Sequence, residues 1–176
     1  MPISPPFNLM QWIEERRETM RPSAAIWQDG DLILQVIGGP SSRSDYHVDA
    51  YEEVFYQLKG DVVIRVIENG KRREIPLREG EIFLLPPLVP HSPQRPAGSL
   101  GLVIEHPREE GVMDAFEWFC DACDTKIFRR EVPLKNIVDD LPVVFAEFNG
   151  DPKLRTCPSC GKVAHQTNYG RKLESV

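Results

Sequence analysis

No apolar run in this 176-residue chain approaches the ~18 residues of a membrane-spanning helix, so no segment reads as one. Basic residues are outnumbered, 21 Lys and Arg against 27 Asp and Glu. The net charge of −6 argues against a duplex nucleic-acid binder, which needs a basic face. Cysteine is scarce, four residues in all, which excludes a disulfide scaffold. The N-terminal MPISPPFNLMQW has neither the basic nor the apolar region of a signal peptide, and the chain is expected to be cytoplasmic. There is no internal repeat. What the chain does have is proline, 16 residues clustered at loop-like places rather than spread as a linker. Its length fits one domain with a small appendage, enough to bury roughly 70% of the unfolded surface.

Residues 8–20 (NLMQWIEERRETM) read as a short helix. Asn8 can cap it, Leu9, Trp12 and Ile13 share a face, and Pro22 stops it. From Ile26 to about Ile104 the period becomes two. Runs such as DLILQVIGGP, EEVFYQLKG, DVVIRVIENG, EGEIFLLPP and SLGLVIEH give about seven strands with turn signals at roughly 8–12-residue spacing, and Asn69-Gly70 marks a hairpin. No helix interrupts them, so the pattern predicts an all-β barrel or sandwich rather than a parallel α/β sheet. After Pro107 the character changes. Leu134, Ile137, Val138 and Leu141 fall at helical spacing, and Val144, Phe145 and Phe148 extend that face past Pro142. The expected division is a barrel with its N-terminal helix at 1–110, a four-cysteine extension containing a helix at 111–165, and a mobile tail at 166–176.

The strand-rich region carries a metal-ligand pattern. His47 lies six residues before Glu53, Glu53 seven before Gly60, Gly80 six before Pro86, and Pro86 five before His91. This pattern resembles the two signature motifs of the cupin superfamily, whose fold is a double-stranded β-helix or jelly-roll barrel. Alternate side chains of a strand point inward, so ligands on separate strands can converge inside such a barrel. Two imidazoles and one carboxylate leave about three coordination positions free, the pattern of non-haem Fe(II) oxygenases. Strand parity places Glu53, Phe55 and Gln57 on one face and turns Glu52 away. Asp49 stands where most cupins have a second histidine, and is expected not to replace it as a ligand. His106 and His165 lie outside both motifs and read as ordinary surface residues.

Arg43 lies four residues before His47 and Arg95 four after His91. An arginine fork binds a carboxylate bidentately, so the pair reads as a clamp for an anionic substrate; surface salt bridges are the other reading. Glu105 shares a strand face with Gly101 and Val103 and is a candidate proton acceptor. The segments GGPSSRSDYH, EEVFYQLKGD, GEIFLLPPLVPHSPQRP and GLVIE resemble the 3-hydroxyanthranilate 3,4-dioxygenase family, over about residues 7–148. The resemblance implies iron ligands at His47, Glu53 and His91, carboxylate-binding arginines at Arg43 and Arg95, and an acidic residue near the substrate's hydroxyl and amino groups at Glu105. It implies an Fe(II) enzyme that opens the ring of 3-hydroxyanthranilate between C3 and C4 with O2, giving 2-amino-3-carboxymuconate semialdehyde, the precursor of quinolinate and NAD. A homodimer without nucleic-acid or membrane partners is implied too. The chain departs from the family at 20–28, where MRPSAAIWQ replaces a Lys-Pro-Pro-Val-x-Asn stretch. A related cupin dioxygenase for another aromatic carboxylate or aminophenol, and a non-enzymatic ligand-binding cupin, are the alternative readings.

The four cysteines form two C-x2-C pairs, Cys120/Cys123 and Cys157/Cys160, 33 residues apart. This spacing predicts a closed four-thiolate site for Fe or Zn, structural because it leaves no open position. Bacterial and yeast-type members of the resembled family carry a rubredoxin-like iron site at these positions.

Overall fold

Among the described residues the chain forms twelve antiparallel strands, several of which alternate buried and exposed side chains with period two. The computed structural model describes residues 3–20, 23–134 and 137–167; nothing is stated of the side chains of residues 137–139. One sheet has the order β1 (Ser23–Trp27), β2 (Ile33–Gly38), β10 (Leu100–Glu105), β5 (Glu53–Lys59), β8 (Ile82–Leu85). The second runs β12 (Lys126–Val132), β11 (Asp114–Phe119), β4 (Asp45–Val48), β9 (His91–Arg95), β6 (Val62–Glu68), β7 (Lys71–Leu77), with β3 (Ser41–Ser42) on β9. The jelly-roll barrel predicted from the motifs is borne out. Between the sheets lies an apolar core of Phe55, Val62, Ile64, Val66, Leu77, Leu85 and Val103. Glu53, Phe55 and Gln57 are the buried alternate positions of β5, as strand parity requires. The Asn69-Gly70 turn joins β6 to β7, with Glu68 opposite Lys71.

Helix α1 spans Leu9–Arg16, shorter than the expected 8–20. The Asn8 side chain accepts from the Gln11 amide at 2.9 Å, as predicted for a cap. The helix already stops at Arg16; Arg21 and Pro22 lie outside the described residues. Ile13 and Met20 pack with Val36, Leu58, Leu100 and Leu102, so α1 covers the outer face of the first sheet.

Seven strands were expected from 26 to 104, and ten are found from 23 to 105. The additions β3, β4 and β9 are short or polar, and β9 (HSPQR) contains a proline. Their inward residues serve the site rather than the core, so they lack the apolar alternation that betrays a strand. The chain after Pro107 contributes β11 and β12, and β11 pairs directly with β4 in the barrel's own sheet. All six residues of β11 are buried. Helix α2 (Ile137–Gly150), with Pro142 inside it, lays Leu141, Val144, Phe145 and Phe148 on Phe116 and Trp118. The Trp118 and Phe148 rings stack with centroids 4.3 Å apart. A four-residue helix α3 (Pro152–Arg155) leads to the second cysteine pair. Of the mobile tail expected at 166–176, Gln166 and Thr167 lie among the described residues. Thr167 is buried and hydrogen-bonded to Trp118 Nε1 at 2.7 Å and Ser44 Oγ at 2.6 Å; residues 168–176 lie outside the described residues.

Candidate active site

Register brings the predicted ligands together from both sheets. His47 on β4 is directly opposite His91 on β9, and Glu53 on β5 is directly opposite Glu105 on β10. All four are buried. Glu53 Oε1 lies 3.6 Å from His47 Nδ1 and 3.1 Å from His91 Nε2. The other nitrogen of each ring is committed. His47 Nε2 donates to Asp114 Oδ2 at 2.6 Å, and His91 Nδ1 donates to the Val89 carbonyl at 3.1 Å. With both rings neutral, the nitrogens facing Glu53 therefore carry lone pairs, and Glu53 Oε1 is itself buried without a hydrogen-bond partner. In that state three lone pairs converge on one buried point and repel one another unless a metal ion lies among them or a proton occupies the His47 nitrogen. That donor set, two imidazoles and a carboxylate each fixed from behind, fits a divalent metal ion.

The electrostatics agree. Burial works to lower the His47 pKa, but the hydrogen bond to Asp114 and the Glu53 carboxylate 3.6 Å away outweigh it and raise it to about 9. Burial would raise Glu53, yet His91 and His47 hold it well below the usual carboxylate range. The Phe116 ring stacks on His47 at 5.1 Å and Phe55 meets His91 edge-on, closing off water around the imidazoles.

The predicted clamp residues lie on the same barrel wall, β9 and the turn before β4. Arg95 is buried, and burial followed by the nearby Arg43 charge pushes its pKa down to about 10. Its Nη1 is buried with no hydrogen-bond partner. It lies against the bare backbone of Gly101, where an added Cβ would stand 2.6 Å away. Arg43 pairs with the fully buried Asp45. The arginine beside Glu105 is neither Arg43 nor Arg95 but Arg108, whose Nη1 donates to Glu105 Oε2 at 2.5 Å. Gln35 Nε2 donates to Glu105 Oε1. Asp49 points to Arg108 Nη2 at 2.6 Å, and burial outweighs its share of that charge, pushing its pKa up to about 6. Asp114, Arg108 and Gln35 belong to no motif, and only the fold reveals them. His106 and His165 are exposed, as expected.

At the other end of β11 the four cysteines cluster. Cys120 and Cys160 sulfurs are 3.5 Å apart, Cys123 and Cys157 3.6 Å, Cys123 and Cys160 3.8 Å. A tetrahedron with metal–sulfur bonds of about 2.3 Å has edges of about 3.8 Å, so the cluster is preformed for one ion. The two turns share a design: the amides of Asp124 and Gly161 donate to the carbonyls of Cys120 and Cys157. Gly161 has φ +74°, and Asp124 takes the same left-handed conformation at φ +57°. The position that glycine fills after the second pair is thus held by an aspartate after the first, a residue that tolerates this region.

Residues 1–149 match the 3-hydroxyanthranilic acid dioxygenase family. A 3-hydroxyanthranilate 3,4-dioxygenase of Ruegeria pomeroyi is 51% identical over 161 residues, covering 89% of both chains. One of Burkholderia cenocepacia is 49% identical over 170 residues, 94% of this chain and 96% of its own. Among solved structures, a cupin-2 domain containing protein from Shewanella frigidimarina is 19% identical, covers 57% of this chain and 94% of its own, and superposes with a TM-score of 0.47. On the extent and identity of these sequence matches, the chain belongs to the 3-hydroxyanthranilic acid dioxygenase family.

Proposed function

We propose that this chain cleaves the ring of 3-hydroxyanthranilate between C3 and C4, adding both atoms of O2 to give 2-amino-3-carboxymuconate semialdehyde. His47, Glu53 and His91 hold Fe(II), and the carrying observation is that His47 Nδ1 and His91 Nε2 converge on the buried, unpartnered Glu53 Oε1. When bound there, Fe(II) supplies the redox chemistry that lets an electron-rich ring react with O2.

The protein's own groups do the rest. Arg95 presents its unpartnered Nη1 to the substrate carboxylate, with Arg43 adding charge nearby, and so fixes which ring bond faces O2. Glu105 takes a proton as the substrate's hydroxyl or amino group binds. A carboxylate offers about four lone-pair positions, and Gln35 and Arg108 occupy one on each oxygen, so acceptor capacity remains. Phe55 and Phe116 exclude water around the imidazoles. Residues 111–165 act as a metal-bound extension, with Fe or Zn in the four-thiolate site. The same reading has the enzyme cytoplasmic, homodimeric and supplying quinolinate for NAD formation.

The test is to mix Fe(II)-loaded protein with 3-hydroxyanthranilate in air. The semialdehyde should appear first and quinolinate after it, with O2 consumed stoichiometrically. Binding without O2 uptake would mean a ligand-binding cupin. Faster turnover of the decarboxylated analogue would mean a different aminophenol substrate.

A further inference from the structure

Arg108 sits in the stretch between β10 and β11, and its side chain is only 9% exposed. Its guanidinium meets three buried carboxylates at once. Nη1 donates to Glu105 Oε2 at 2.5 Å, and Nη2 to Asp49 Oδ2 at 2.6 Å and Asp114 Oδ2 at 2.8 Å. Nε completes the fork on Asp114 Oδ1 at 3.0 Å. Each carboxylate touches the proposed metal centre differently. Asp114 holds the far nitrogen of His47, Glu105 stands across the sheet from Glu53, and Asp49 follows His47 by two residues.

His47, Asp49 and Asp114 also bring one donor atom each within 4.8 Å of one another. Two carboxylates and the second imidazole nitrogen are the makings of a rival cation site, sharing His47 with the first. The Arg108 guanidinium already lies between Asp49 and Asp114 and supplies the positive charge there.

We propose that Arg108 is a positioning residue that sets the ligand count of the metal centre. It keeps Asp49 out of coordination and holds Asp114 on the far side of His47, so that three protein groups, and no fourth, face the metal. This rests on the metal centre proposed above. A cation fixed in the fold leaves the coordination positions needed for substrate and O2 free, where a mobile Asp49 carboxylate would fill one.

The test uses Co(II) as a probe, added to metal-stripped full-length protein. Co(II) in the four thiolates has its own sulfur-to-cobalt absorption and is counted separately. In R108Q the freed Asp49 should add a carboxylate. The readout is about one additional Co(II) per chain or a shifted d–d spectrum, with affinity at the His47 site altered about 10–100-fold. Adding D49N to R108Q should return stoichiometry and spectrum toward wild type. A folded R108Q with wild-type stoichiometry and spectrum overturns the proposal. D49N alone gives a test independent of how R108Q folds: it should leave the wild-type spectrum unchanged, and a changed spectrum would make Asp49 a ligand and overturn it. The E53Q variant separates the two levels. If wild type and E53Q bind Co(II) alike, the metal centre itself is misassigned. If E53Q loses the ion while R108Q is unaltered, only the role of Arg108 fails.

Discussion

The contact between Gly101 and Arg95 gives a quantitative handle on the proposed substrate clamp. In Gly101→Ala the new methyl carbon would stand 2.6 Å from Arg95 Nη1 and 3.0 Å from Gln57 Oε1. Carbon and nitrogen rest at about 3.5 Å or more, so the guanidinium must retreat by about 1 Å. A hydrogen bond to a charged partner contributes about 1.5–3 kcal/mol, and about 1.4 kcal/mol is a factor of ten. Loss of one clamp contact therefore predicts a fall of about 10- to 150-fold in kcat/KM for 3-hydroxyanthranilate, carried mainly by KM. The decarboxylated analogue has nothing for the clamp to hold, so its kcat/KM should be nearly unchanged. Steady-state O2 uptake with both compounds, and a melting curve to establish that the variant is folded, would decide the matter. A folded Gly101→Ala enzyme with wild-type KM for the acid, or an equal loss on both compounds, would falsify the assignment of Arg95 as the carboxylate anchor.

Other consequences follow from the two metal clusters. Glu53→Gln removes the anionic member of the triad and should empty the His47 site while leaving the thiolate metal in place; elemental analysis showing equal metal in wild type and variant would refute the triad. In metal-free protein His47 titrates near 9, so below that pH each incoming ion must displace its proton. The apparent Kd should therefore fall about tenfold per pH unit until about pH 9 and then level off, with proton release seen by calorimetry in two buffers. The same raised pKa stabilises the metal-free fold fully below the ordinary value of 6.5, and this contribution is lost as pH rises through about 9, so the Tm of metal-free protein should drop across that window. Cys157→Ser should release the thiolate-bound metal and lower Tm by more than about 4 °C, which corresponds to about 1 kcal/mol or more for a chain of this size; retention of full metal stoichiometry would rule out the four-sulfur site.

His47, Glu53 and His91 could be picked out from the spacing of their motifs, and the parity of Glu53 follows from the core residue Phe55 two positions on. The cysteine pairs were legible for the same local reason: each pair is one tight turn. Asp114 and Arg108 were not, because His47, which Asp114 braces, and Asp49, which Arg108 holds, lie 67 and 59 residues away along the chain, and nothing nearby distinguishes HPREEG from an ordinary charged loop. Two of the strands carrying the site, β4 and β9, were also among the hardest to see. DYHV and HSPQR give up apolar alternation to present polar groups inward, so the signal for structure weakens where the signal for chemistry is strongest. The segment from Met113 was silent for the opposite reason. β11 is covered on both faces, and a strand buried throughout has no period to read.

That strand has a dual allegiance. Its first residue braces one imidazole, its third lies flat on the same ring, its fifth anchors the aromatic layer beneath α2, and the chain then runs straight into the first thiolate turn. The C-terminal region is therefore not an ornament that could be clipped away to leave a minimal catalytic barrel. A chain cut at residue 110 would forfeit a wall of the proposed reaction chamber along with the sulfur cluster, and engineering aimed at one end of this rib must reckon with the other.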